Sequence, residues 1–176
     1  MKLDVQVIQK MVDTMVGIPR FSYPSRQFGA PRPKGDFAHV TKLAEYAVGI
    51  PNQILVSQTD TTMTYETHVP SRLRFRIGLI EKTGLVSYKI MHGWTSEAMK
   101  ALMIETGYGF IKCDPIVNED AKLEKEWELR QGFSLEVYAT RVMKEVVDKL
   151  TSVTISGEFV FDDLSKRVLT YNINKD

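Results

Sequence analysis

Residues 127–142 read WELRQGFSLEVYATRV. Trp127, Leu129, Phe133, Leu135 and Val137 fall on one side of a two-residue period, and Glu128, Arg130, Ser134, Glu136 and Tyr138 on the other. Alternation over this length is the pattern of a strand with one face on a core. So long a half-buried strand needs neighbours, and the stretch therefore sets the fold class as one built on a sheet.

Upstream, SRLRFRIGLI at 71–80 repeats the pattern. Leu73, Phe75, Ile77 and Leu79 point to the core, and Arg72, Arg74 and Arg76 point away from it. The preceding NQILVSQTDTTMTYETHV is rich in Thr, Val and Tyr, which suit strands, and Pro70 and Ser71 are expected to break it. DFAHVTKLAEYAV reads as a further strand, closed by a turn at Gly49-Ile50-Pro51-Asn52. An antiparallel meander is expected. Downstream, VVDKLTS turns the chain and VTISGEFVF is another strand; KRVLTYNI reads either as a last strand or as an ordered tail.

The period changes elsewhere. Leu3, Val7, Ile8, Met11, Val12 and Met15 recur at three- and four-residue spacing, which predicts an amphipathic helix over 2–16, ended by Gly17 and Pro19. Val86, Ile90 and Met91 fit one short helix; Ala98, Ala101 and Leu102, with Ile104 or Glu105, fit a second. Gly93 separates the two, Thr95 or Ser96 caps the second, and Gly107 ends it. YGFIKCDPIV is a strand closed at Asp114-Pro115, and EDAKLEKE a polar loop or helical turn. Residues 17–36 hold Pro19, Pro24, Pro31 and Pro33 with several glycines, and read as an arm or loop. Arg20, Arg26, Arg32 and Lys34 there outweigh Asp36, and Phe21, Tyr23 and Phe28 are interleaved. It is either a tether across its own domain or an arm reaching a neighbouring subunit. The sum is one α+β domain over 1–176, its mainly antiparallel sheet packed against an N-terminal helix and a central helix pair, with a C-terminal extension at 162–176.

Composition narrows the function. The chain has 43% hydrophobic and 26% charged residues and a net charge of +1, a globular balance without the basic excess of a dedicated nucleic-acid binder. The one cysteine, Cys113, has no intrachain partner, which fits a reducing compartment. No apolar run approaches the roughly 18 residues of a membrane span, and the first residues lack the apolar core of a signal peptide.

No catalytic or metal-binding constellation emerges. His39, His68 and His92 have no paired-ligand spacing. Cys113 sits in an apolar strand as a small hydrophobe. GFSLE places Glu136 where a nucleophile elbow needs glycine, and GYGF lacks the third glycine of a dinucleotide fingerprint. No cofactor motif is present. Trp127 belongs on the core side of its strand. Glu119, Asp120, Glu124, Glu126 and Glu128 outnumber Lys122 and Lys125, as in a solvated turn or a surface meeting a basic neighbour.

Landmarks in a set order resemble the neck- and tail-terminator proteins of tailed bacteriophages. Pro31, Arg32, Pro33, Gly35 and Phe37 resemble the entry to that family's first strand, and Arg74-Phe75-Arg76-Ile77 its strand into the main helix. GYGF resembles the small-residue link after that helix. DAKLEKEWELRQGFSLEVYA is the nearest match, through Asp120, Leu123, Trp127, Glu128 and Arg130, and VDKLTSVTISGEF resembles the closing strand. The resemblance spans 31–160; the N-terminal helix and 162–176 lie outside it, and His92-Gly93-Trp94 interrupts an expected single long helix.

The resemblance implies a virion subunit without reaction or cofactor, assembled in the bacterial host cytoplasm into a homo-oligomeric, typically hexameric, ring at the head–tail junction. Such a collar caps the tail tube and joins it to the neck, and DNA passes through its lumen. Its partners would be the tail tube protein, a sheath protein, and a head-completion or connector protein, with no membrane. Head-to-tail contacts would use charged surfaces of opposite sign, for which Arg72, Arg74 and Arg76, Glu124, Glu126 and Glu128, and the arm's Arg26, Arg32 and Lys34 are the candidates. On that reading Arg74→Glu impairs tail joining and spares the fold. The alternative is a nucleic-acid-binding accessory protein using the same strand face and arm.

Overall fold

A computed structural model describes residues 2–24, 33, 35–81, 84–123, 126–149, 152–161 and 165–174; for residues 2, 3, 122, 123, 126 and 127 and beyond 149 it describes the backbone alone. Among them are three α-helices and a seven-stranded, mostly antiparallel sheet, the expected α+β class. Two compact units emerge: Met1–Ile50 with Val69–Arg141, and Pro51–His68 with Val142–Asp176.

In the first unit, helix α1 (Lys2–Val16) buries Ile8, Met11, Val12 and Val16. It stops at Gly17, whose φ of 80° few other residues adopt and whose N–H donates to Asp13 O. Of the expected tether or arm at 17–36, the residues up to Pro24 pack on their own unit. Phe21 is buried, and β1 (Ser22–Pro24) lies parallel to β2 (Phe37–Ala47). Arg26 and Arg32 lie outside the described residues, as does Lys34.

Strand β2 runs antiparallel to β4 (Thr62–Ile80), from Phe37 opposite Ile80 to Ala47 opposite Ser71. Leu73, Phe75, Ile77 and Leu79 are fully buried, as their alternation demanded. The expected break at Pro70 is absent: β4 is continuous through it. β4 changes partner there, from His68 opposite Asn52 to Ser71 opposite Ala47. Val48 N–H donates to Pro70 O at 2.7 Å, and the missing proline N–H falls in the gap between two ladders.

The middle of the unit is helical. Helix α2 (Leu85–His92) runs into a 3₁₀ turn at Gly93–Thr95 and then helix α3 (Glu97–Thr106). Ser96 caps α3, its hydroxyl accepting from Met99 N–H, and Gly107 ends it with φ 72°. The buried face of α3 is Met99 and Leu102; Ala98, Ala101 and Ile104 face out, so the expected apolar stripe is rotated by one residue. Both phases fit so short a helix, and Met99 and Leu102 took the core.

Strand β5 (Tyr108–Cys113) pairs with β9 (Arg130–Asp148), as does β6 (Val117–Asn118). The expected polar loop or helical turn at 119–126 is instead part of a small hairpin of β7 (Ala121–Leu123) and β8 (Glu126–Glu128). In β9, Phe133, Leu135 and Val137 are buried, but Leu129, expected on the core side, precedes the strand and is exposed. The Trp127 side chain lies outside the description. The strand order is β1-β2-β4-β9-β5, and its apolar face closes on α1, Ile90, Trp94, Met99 and Leu102.

In the second unit, β3 (Asn52–Gln58) pairs antiparallel with the start of β4, with a bulge between Leu55 and Ser57. Thr59 N–H donates to Thr62 O across the turn. Lys144 of β9 pairs with Glu66 at 2.8 Å. The KRVLTYNI segment is a last strand: β11 (Ser165–Asn174) pairs antiparallel with β10 (Ser152–Phe161).

Candidate functional site

Burying Leu73, Phe75 and Ile77 forces Arg72, Arg74 and Arg76 onto the other face of β4, next to β9. Sequence alone offers a row of positive charge. The structure offers a lattice of ion pairs within the chain. Arg72 Nε donates to Glu136 Oε2 at 2.6 Å. Arg74 Nη2 donates to Asp114 Oδ2 at 3.2 Å, and Arg76 pairs with Glu119. Lys112 Nζ donates to Asp114 Oδ1 at 3.0 Å and lies 3.8 Å from Glu136 Oε1. The Lys112 hydrogen bond lowers the Asp114 carboxyl below its ordinary range against the pull of burial, with help from Arg74.

This face therefore alternates in sign. The guanidiniums keep partial exposure, 42%, 41% and 31% of the side chain for Arg72, Arg74 and Arg76. A partner reaching them meets groups that are already paired; Arg74 Nε itself is buried without a hydrogen-bond partner, 3.9 Å from Glu136 Oε1. The expected opposition of residues 72–76 to an acidic surface on another copy is in part internal, since Glu119 of the acidic run already holds Arg76. Gly132 makes that pair possible: a Cβ there would stand 2.6 Å from Arg76 Nη2 and 2.8 Å from Glu119 Oε2.

Of the acidic candidates, Glu124 lies outside the described residues and Glu126 is described by backbone alone. Glu128 accepts from Arg130 Nε at 2.5 Å. The alternation around Glu136 placed it on the arginines' side; nothing in the sequence marked Asp114 as their partner.

Next to the lattice, a cavity of about 380 Å³ is lined by Phe37, His39, Leu79, Glu119, Arg130 and Gln131 among others. The His39 ring lies over Gly78, where a Cβ would come within 2.2 Å of it. Burial, then the charges of Arg130 and Arg76, lower its pKa, so the ring is neutral near pH 7.

A second cluster escaped the sequence reading. Asp4, on the apolar side of α1, is buried and accepts from Lys42 Nζ at 2.7 Å, from Arg141 Nη2 at 2.9 Å, and from the Tyr108 hydroxyl. Burial would raise the Asp4 carboxyl, but donors from Lys42, Tyr108 and Arg141 outweigh it and hold it at about 2. Burial and the Asp4 charge push Tyr108 up to about 12. The cluster ties α1 to β2, β5 and β9 and presents no reactive group.

Chemistry of other kinds finds little support in the geometry. Burial, aided by Asp114, pushes the Cys113 thiol up to about 11, far from a thiolate at neutral pH. Among the described residues no three His, Cys, Asp or Glu side chains converge as metal ligands, and no helix is long and apolar enough to cross a membrane. A larger groove, about 680 Å³, lies between α1 and the segment at 17–24. Its carboxylate, Asp13, is already taken by Arg20 N–H, Ser22 N–H and the Ser22 hydroxyl.

A protein-family model described as phage neck terminator protein matches residues 5–162. It includes most of α1, which the resemblance over 31–160 left out. A search of curated proteins gave no match.

Proposed function

Because the chain belongs to the phage neck terminator protein family, we propose that it is a collar subunit of a tailed-phage virion, which caps the tail tube and joins it to the head–neck connector. The family match over residues 5–162 carries this reading. It assigns the chain to a structural part of a phage, and the described residues offer a sheet with a charged outer face rather than a reaction centre. The subunits form a closed, hexameric ring by head-to-tail contacts, one face of the ring meets the tube protein, the other the connector, and DNA passes through the lumen. A sheath protein is a further neighbour where the tail contracts. The arginine–carboxylate lattice suits such a contact: paired charges fix register and reject wrong partners without gathering DNA.

Negative-stain electron microscopy of the purified chain, with antibody labelling of virions, tests the proposal. Rings of uniform diameter and label at the neck are expected. Virions that lack the chain would overturn it. The nucleic-acid alternative predicts DNA affinity that falls steeply with salt. The collar reading predicts weak binding throughout, because each of the three arginines already has a carboxylate.

A further inference from the structure

Strand β3 is an edge of the sheet. Its seven residues, NQILVSQ, pair with β4 alone, so the N–H and C=O groups pointing away from β4 have no partner among the described residues. Exposed edges are usually blunted by charge, proline or a bulge. Asn52–Gln58 carries no charge and no proline. The bulge between Leu55 and Ser57 leaves 52–55 as a regular, open run. Ile54, Leu55 and Val56 are 45–51% exposed.

We propose that β3 is the docking edge for a second copy of this chain, which adds its own β5 edge there and continues the sheet from subunit to subunit. The inference rests on the collar reading and names its contact. Two open strands of matching character are needed, and β5 supplies the second. It closes the strand order β1-β2-β4-β9-β5, pairs with β9 alone among the described residues, exposes Phe110 and Ile111, and carries a single charge, Lys112, next to a bulge between Phe110 and Lys112. The other open edges fit less well. β1 is three residues ending in Pro24, β10 contains Glu158, and β11 contains Lys166 and Arg167. Joining two different edges is a head-to-tail contact, which propagates and closes into a ring when its rotation allows; β3 on β3 would stop at a dimer.

Ile54→Lys and Leu55→Lys place a charge on the edge at positions already half exposed. Light scattering of the purified chain should show self-association weakened at least about tenfold, with an unchanged melting temperature. Ile104→Lys, at an exposed position on α3, should leave association as it is. Cross-linking identifies the strands: with Cys113→Ser, a chain carrying Ile54→Cys and Ile111→Cys and treated with a short bismaleimide should give a ladder beyond the dimer. Ile54→Cys alone giving an efficient dimer would place β3 on β3 and overturn the proposal. A wild-type chain that stays monomeric, and that is not cross-linked through these positions in assembled particles, would also overturn it. Rings that persist in the lysine variants would sink the docking edge and leave the collar function standing, whereas virions without the chain would remove the function itself.

Discussion

At the scale of single residues, three positions hold more than their neighbours reveal. Asp4 is a carboxylate on a buried helix face, held by Lys42, Arg141 and Tyr108. Asp4→Ala would leave Lys42 and Arg141 to Glu45 alone, and the loss of such charged hydrogen bonds costs about 1.5–3 kcal/mol. Urea unfolding of this variant should show a correspondingly lower midpoint. Gly78 lies under the His39 ring, so Gly78→Ala should cost about 1–3 kcal/mol by overpacking. Combining it with His39→Ala should recover most of that loss, a coupling that a double-mutant cycle measures directly. Arg74 changes its meaning most. Sequence alone makes Arg74→Glu a pure interface variant; beside Asp114 and Glu136 it would instead gather three carboxylates and destabilise the fold. Arg74→Gln is the cleaner probe, with a stability change within about 1 kcal/mol for a partly exposed pair.

At the scale of elements, local signals were readable where the cause was local. Ser96, Gly107 and Gly93 divided the helical region as their capping chemistry requires, and Ser96→Ala should lower stability by about 1 kcal/mol in thermal or urea unfolding. The core faces of β4 and β9 were legible because a two-residue period maps directly onto two sides of a sheet. The misreadings share a cause. Pro70 breaks a strand only if its N–H is needed, and whether it is needed depends on β2 and β3, far off in sequence. The hairpin of β7 and β8 looked like a polar turn because its strands are too short to show a period. The arginine row was found, but its carboxylate partners come from other strands, and those are fixed by register.

At the scale of the whole molecule, the ion pairs set the pH range of stability. The Asp4 carboxyl is held at about 2, below its ordinary 3.8. A lowered folded pKa gives stability that is present above the unfolded value and lost as pH falls through the folded one. Stability should therefore drop between about pH 4 and pH 2, by on the order of 2 kcal/mol from this group. Asp114, Glu45 and Glu66 are also lowered and add to the same acid limb. Tyr108 works in the opposite sense: raised to about 12, it contributes stability below pH 10 that fades as pH climbs toward 12. Melting temperatures across the acid range should show the wild-type chain converging on Asp4→Asn as pH falls below 4.

By itself the sequence determined the α+β class, the core faces of the long strands, the helix boundaries and the resemblance to phage neck proteins, because periodicity, caps and ordered landmarks are properties of a chain read locally. Only the tertiary structure decided that the arginines of β4 are already paired, that Asp4 anchors α1, and that β3 pairs with β4 alone among the described residues. Those features depend on which strand lies beside which and in what register, and register is settled by burial across the whole sheet.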